Sequence, residues 1–321
     1  MAVYTKITDL ELRGFLSQYS LGELIAFSEI AEGVENSNFL VQTTKGQFIL
    51  TLYEKRVNPD DLPFFLGLLS HLSDNNFICP VPVEKKDGRV LNELNGRPAA
   101  IVTFLEGTSP KVVTPIHCKA LGVSMAKLHK AGKSFEIKRE NSLSVRHWRP
   151  LLDSCDLLNK PIYIKLYNHL NEELNWLEAN WPQGLPKGII HADLFPDNVF
   201  FLYNNLSGVI DFYFACTDFL AYDLATSINA WCFEPDETFN TTKAKALVNA
   251  YQTQRSLLPD EITYFQILAR GSAIRFLLTR LYDWLNHPAD ALVQPKDPMS
   301  YLKKLHFHQE VQSPKDYGFI I

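Results

Sequence analysis

The chain has 321 residues, 46% of them apolar and 21% charged, and a net charge of −5 from 31 Lys and Arg against 36 Asp and Glu. That length suggests about two domains or lobes with a core that needs no disulfide or metal staple, and the composition excludes a disordered chain and a broad basic nucleic-acid surface. Its five cysteines form no Cys-x-x-Cys pair, Asp9 and Glu11 interrupt a signal-peptide run, and no stretch reaches the ~18–20 apolar residues of a membrane span, so a cytoplasmic protein is expected, with neither membrane nor nucleic acid as partner.

In chain order, residues 8–19 read as a short helix with Thr8 or Asp9 as N-cap. Three short runs rich in Ile, Val, Phe and Leu follow over 24–31, 38–42 and 47–53, separated by the turn segments EGVENSN and TTKG, which predicts an antiparallel meander. A helix is expected over 63–72, with Pro63 in its first turn. Asp87-Gly88 and Asn95-Gly96 flank a short strand at 89–91, and a continuous apolar strand over 99–105 stops at Glu106-Gly107. Beyond Gly107 the spacing becomes helical, over 114–130 and 166–181. Two apolar runs, 198–203 and 206–212, form a hairpin about Asn204-Asn205. Helices resume over 221–230, 243–257 and 262–284. The tail after Asn286, with several prolines, is expected to wrap over the surface. The expectation is a β-rich lobe over 1–106, a mainly helical lobe over 107–321, and a ligand cleft between them.

The segment richest in chemistry is GIIHADLFPDNVFF, residues 188–201, followed by Val209-Ile210-Asp211-Phe212. Ile189 and Ile190 bury the approach to a loop and so fix it. Asp193 on that loop can accept a proton from a substrate hydroxyl. A short hairpin brings Asn198 and Asp211 together, and an amide oxygen beside a carboxylate suits Mg²⁺, a hard cation that completes its shell with phosphate and water. A base, two metal ligands and a cleft are the parts of phosphoryl transfer from a nucleotide. A metallohydrolase centred on His191 and Asp193 would need further ligands, and the sequence has no HExxH or comparable cluster. His191 is read as an architectural loop residue.

This segment resembles the catalytic loop and metal-binding Asp of the aminoglycoside phosphotransferase/choline kinase superfamily, small-molecule kinases with a protein-kinase-like fold. The resemblance implies an α+β, two-lobed fold with ATP as co-substrate and Mg²⁺ as cofactor. It gives Asp193 the catalytic-base role and Asn198 and Asp211 the metal-ligand roles. Gly33, Asn36, Ser37 and Asn38, between two strands, look like the family's nucleotide-phosphate loop, where backbone N–H groups approach phosphate. Thr103 and Leu105, in VTFLEG, look like the hinge that receives adenine. The strings GVENSNF, FILTLYE, LPFFLGLLSHL, IIHADLFPDNVFF, INAWCF, IRFLLTRLYD and PKDP occur in order along nearly the whole chain, and through them it resembles the superfamily's homoserine kinase branch.

Two departures stand out. The family's phosphate-pairing Lys or Arg on the third strand falls at Thr51, whose hydroxyl carries no charge, with Lys55 and Arg56 just beyond it. The helix over 63–72 also lacks the Glu that would pair with such a Lys. An L-homoserine acceptor would present its hydroxyl to Asp193 and its carboxylate to an Arg. Arg275 is the first candidate and Arg280 the second, ahead of Arg270, with Asp223 and Trp231 as candidates for the ammonium and Asp223 alternatively a helix cap. Other small alcohols (choline, ethanolamine, an aminoglycoside or a methylthiosugar) and a catalytically silent nucleotide-binding protein are the alternatives. The sequence leaves the oligomeric state open.

Overall fold

A computed structural model describes residues 5–30, 36–54, 57–287 and 294–320. Helix α1 (Asp9–Leu16) starts at Thr8, which forms a reciprocal capping box with Glu11: Thr8 N–H donates to Glu11 at 2.6 Å, and Glu11 N–H donates to Thr8 Oγ1 at 3.3 Å. Strands β1 (Leu24–Ile30), β2 (Ser37–Thr43) and β3 (Gly46–Leu52) make the expected antiparallel meander. Helix α2 (Leu62–Asp74) then leads to β4 (Asn92–Leu94) and β5 (Arg97–Thr103). The sheet order is β1-β2-β3-β5-β4. The short strand lies later than expected because Arg89 turns back onto Asp87 at 2.7 Å, and the hairpin is closed by Asn95-Gly96, both with positive φ.

Eight helices and four strands follow among the described residues: α3 (Pro115–Ala131), α4 (Val145–Ser154), α5 (Ile164–Asn180), β6 (Lys187–Ile190), β7 (Val199–Leu202), β8 (Asn205–Val209), β9 (Cys216–Phe219), α6 (Leu220–Trp231), α7 (Thr241–Gln252), α8 (Pro259–Thr263), α9 (Phe265–Leu285) and α10 (Met299–Glu310). Helix α10 corrects the expectation of a tail that wraps over the surface. Prolines precede it and stay outside it, and Tyr301 and Leu305 bury one face in the core formed by α4, α5 and α9. The turn of the β7–β8 hairpin falls one residue earlier than expected, on Tyr203 and Asn204, both left-handed.

One face of the sheet packs on α1 through Phe39, Val41, Leu50 and Leu52. A second core runs without a break from α2 through α3, the β6–β9 pair and α6 to α7. The segment after β5 joins the hairpin directly: Thr108 and Phe201 exchange backbone hydrogen bonds at 2.9 and 3.1 Å, and Ser207 Oγ donates to Glu106 O at 2.6 Å. Gly107 sits at φ +125° where a Cβ would meet Ser207 and the Phe201 carbonyl. No helix among the described residues is long and apolar enough to cross a membrane.

Candidate active site

Asp193 lies on the loop between β6 and β7. β6 is short, apolar at Ile189 and Ile190, and paired antiparallel with β9, so it delivers the loop from a buried edge. The loop passes through Ala192 at φ +63°, a conformation that costs a residue with a Cβ unless its surroundings hold it. Here they do. Asp223, fully buried on α6, accepts from the N–H of His191 at 3.0 Å and of Ala192 at 2.8 Å. From the other side the Arg275 guanidinium on α9 donates to the Ala192 carbonyl. Trp231 Nε1 donates to Leu194 O at 2.6 Å.

A buried hydrogen-bond chain supports Asp223. His129 Nε2 on α3 donates to its carboxylate at 3.0 Å, and His129 Nδ1 meets the Tyr251 hydroxyl at 2.8 Å. Tyr251 accepts from Arg255 at 3.0 Å, and Arg255 pairs through both terminal nitrogens with the buried Glu261. Burial acts to raise the Asp223 carboxyl, but His129 and the loop N–H groups outweigh it and hold it below the usual carboxylate value. His191 is equally enclosed. Its Nε2 donates to Ile210 O at 2.9 Å, its Nδ1 accepts from the Asp193 N–H at 3.3 Å, and burial lowers its pKa. It is therefore a neutral ring with its single proton committed to Ile210.

Asn198 ends a one-turn 3₁₀ segment, Pro196–Asn198. Its amide nitrogen donates to the Asp193 carbonyl at 2.8 Å and to the Asp193 carboxylate at 3.2 Å. Its oxygen is then the atom with which it could hold a cation. Ile210 N–H donates to Asn198 O at 2.9 Å, so Asp211, the next residue, adjoins Asn198 as the hairpin arithmetic requires. Asp211 is exposed and stands at φ +64°. The set fits a hard divalent cation: one amide oxygen and one carboxylate leave most of the shell to phosphate and water. Among the described residues no group of three or more His, Cys, Asp or Glu is set to hold a metal ion.

A cavity of about 150 Å³ opens beside Asp193, lined also by Phe195, Asp197, Phe276, Arg280 and Lys296. Of the four residues expected to grip an acceptor, Arg280 alone is among them. Asp223, Trp231 and Arg275 are corrections: each is at most 2% exposed and supports the loop from beneath. On α9, Arg275 and Arg280 are five residues apart, about 140° around the axis, which turns one inward and the other to the cavity. Asp197 and Lys296, which the sequence reading gave no acceptor role, stand on its rim. The strings FPDN and PKDP carried them, but only folding brings the two strings together.

Gly33, Lys55 and Arg56 lie outside the described residues. Asn36 and Ser37 are buried against Glu54: Asn36 Oδ1 accepts from its N–H at 3.2 Å, and Ser37 Oγ donates to its carboxylate at 2.7 Å. Thr51 is 4% exposed and donates to Asn38 Oδ1 at 2.8 Å, which corrects the expectation that it faces the nucleotide. Its hydroxyl also meets that of Tyr213, two residues past Asp211, and Tyr213 in turn reaches Tyr53, whose ring packs edge-on at 5.7 Å. A neutral hydroxyl cluster thus joins β3 to the Asp211 turn. Thr103 Oγ1 accepts from Val81 N–H at 2.9 Å, and Leu105 packs on Gly208 of the hairpin.

The profile of the phosphotransferase enzyme family matches residues 26–257. A homoserine kinase of Xanthobacter autotrophicus is 59% identical over 318 residues, 99% of each chain. One of Bradyrhizobium diazoefficiens is 57% identical over all of this chain and 98% of its own. Among solved structures, an amicoumacin kinase superposes with a TM-score of 0.68 at 12% identity, covering 95% of this chain and 93% of its own. A choline kinase from Cryptosporidium parvum also gives 0.68, at 15% identity, over 94% and 95%. At such identities the structural likeness speaks for the two-lobed kinase-like fold.

Proposed function

The chain belongs to the phosphotransferase enzyme family, and from that premise we propose that Asp193 receives the acceptor's hydroxyl proton while Asn198 and Asp211 hold Mg²⁺ against the phosphates of ATP. The chain is a small-molecule kinase, and its acceptor is the side-chain hydroxyl of L-homoserine, the activity named for relatives aligned along its entire length. The observation that carries the residue roles is the contact of the Asn198 amide with both the carbonyl and the carboxylate of Asp193. That contact sets the base and one metal ligand side by side.

The mechanism follows from what each residue contributes. Asp223, Arg275 and Trp231 fix the loop, so Asp193 needs no reorganisation when the hydroxyl arrives. The neutral His191 keeps Asp193 as the proton acceptor. A bound Mg²⁺ would neutralise phosphate charge, which a chain of net charge −5 must otherwise oppose. Residues 1–106 hold the nucleotide, through backbone N–H groups of the β1–β2 connection and the segment at Thr103 and Leu105. Residues 107–321 hold the base and the acceptor, and Arg280 takes the acceptor's carboxylate as a fork.

The test is ADP release across a panel of alcohols: L-homoserine, choline, ethanolamine, an aminoglycoside and a methylthiosugar. Turnover of L-homoserine well above the others is expected. Turnover of another alcohol in its place would overturn the acceptor, and ADP release with none would favour a silent fold.

A further inference from the structure

The cavity beside Asp193 is charged with both signs. Arg280 and Lys296 supply two cations, Asp193 and Asp197 two carboxylates, and Phe195 and Phe276 an apolar wall. Arg280 is fixed: it donates to Ser300 Oγ at 3.0 Å and lies over the Tyr301 ring at 4.5 Å. Asp197 and Lys296 pair across the rim at 3.6 Å, each with a side chain 64% exposed, and the Lys296 ammonium stands 5.6 Å from the Phe195 ring centre. An exposed pair of this kind contributes little stability, so its members exchange partners readily.

This charge pattern selects an acceptor class. A purely cationic alcohol would meet two cations. A purely anionic one would meet two carboxylates. A neutral polyol would leave the Asp197–Lys296 pair in place and offer Arg280 no charged partner. A short chain with a hydroxyl at one end and both an ammonium and a carboxylate at the other offers the hydroxyl to Asp193, the ammonium to Asp197 and the carboxylate to Arg280 and Lys296, while its methylene groups meet the aromatic wall.

Resting on the assignment of Asp193 as base, we propose that Asp197 binds the acceptor's α-ammonium and that Arg280, with Lys296 beside it, binds the α-carboxylate, so that the acceptor's zwitterion replaces the Asp197–Lys296 ion pair charge for charge. Consecutive residues then divide the work: Asn198 turns inward to Asp193 while Asp197 faces the acceptor. The specificity for an amino acid over other alcohols resides in this rim.

The experiment crosses enzyme variants with acceptor analogues. L-Homoserine is compared with 4-hydroxybutanoate, which lacks the ammonium, and with 3-aminopropan-1-ol, which lacks the carboxylate. Analogues turned over too slowly are scored by competitive inhibition. In Asp197→Asn the preference for L-homoserine over 4-hydroxybutanoate, as a ratio of kcat/KM or of inhibition constants, falls about tenfold or more, and Asp197→Glu restores part of it. In Arg280→Gln the preference over 3-aminopropan-1-ol falls by a similar factor, and in Lys296→Met by about threefold. An unchanged preference in Asp197→Asn overturns the ammonium assignment, and an unchanged one in Arg280→Gln overturns the carboxylate assignment. If the unaltered chain turns over none of the three acceptors but does turn over choline or an aminoglycoside, the underlying reading fails, and the rim assignment fails with it.

Discussion

At the scale of single residues, the site is governed by what lies under the loop that carries Asp193. Ala192 adopts a left-handed backbone because Asp223 takes its N–H and Arg275 its carbonyl. Asp223→Asn removes the charge while keeping the shape. One carboxylate oxygen becomes a donor facing an N–H, and the buried chain through His129, Tyr251 and Arg255 loses its anionic end. A loss of about 2–4 kcal/mol is expected in chemical denaturation, with kcat reduced more than the KM for either substrate. An Asp223→Asn protein as stable as the parent would contradict this role. That Asp193, Asn198 and Asp211 are neighbours was legible because short spacings along the chain bring them together. The sequence did not show that Asp223, Trp231 and Arg275 face inward, because a side chain's direction depends on elements more than 30 residues away.

At the scale of elements, the β7–β8 hairpin is held by two partners. The strand-like segment at Thr108 edges it, and the hydroxyls of Thr51 and Tyr213 tie its outgoing turn to β3. Gly107 permits the first contact. Gly107→Ala puts a Cβ at φ +125° against the Phe201 carbonyl, and a loss of about 2–3 kcal/mol is expected. The KM for ATP should rise as well, since the same segment carries Thr103 and Leu105; a thermal melt and a nucleotide titration read the two effects. Element types were legible wherever periodicity was strong, as in the meander and in α3, α5, α6 and α9. Helix α10 was not, because its apolar face is narrow and Pro295 and Pro298 stand just before it. The strand at Asn92–Leu94 was displaced because the local Asp87–Arg89 contact extends the turn before it.

At the scale of the whole molecule, buried neutral histidines make the fold acid-sensitive. His308 on α10 meets Tyr317 at 2.8 Å and Asn229 at 2.8 Å, fully enclosed, and burial, with Lys304 and Arg270 acting in the same direction, lowers its pKa to about 3. Below pH 6.5 the unfolded chain takes up a proton that the folded chain refuses, so stability falls as the pH drops from 6.5 towards 3, by at most ~1.4 kcal/mol per pH unit for this one group. His191 acts in the same direction. Asp223, depressed below 3.8, adds its own loss only as the pH falls beneath that value. Urea denaturation of the parent and of His308→Gln at pH 7 and pH 5 should give a shallower pH slope for the variant, and equal slopes would contradict this account. The succession of an N-terminal antiparallel sheet and a mainly helical C-terminal part was legible from the change of periodicity along the chain. The continuous core from α2 into α7 was not, since it depends on which helices meet.

The central claim is that Asp193, held by a pre-set loop beside Asn198, receives the proton of the L-homoserine hydroxyl as phosphate is transferred from ATP. The most direct measurement is kcat for ADP release with L-homoserine in the parent and in Asp193→Asn, with nucleotide affinity and melting temperature measured on both. The account predicts a fall in kcat of about 10²–10⁴ with ATP affinity and stability preserved. Parent-like kcat in Asp193→Asn would contradict it.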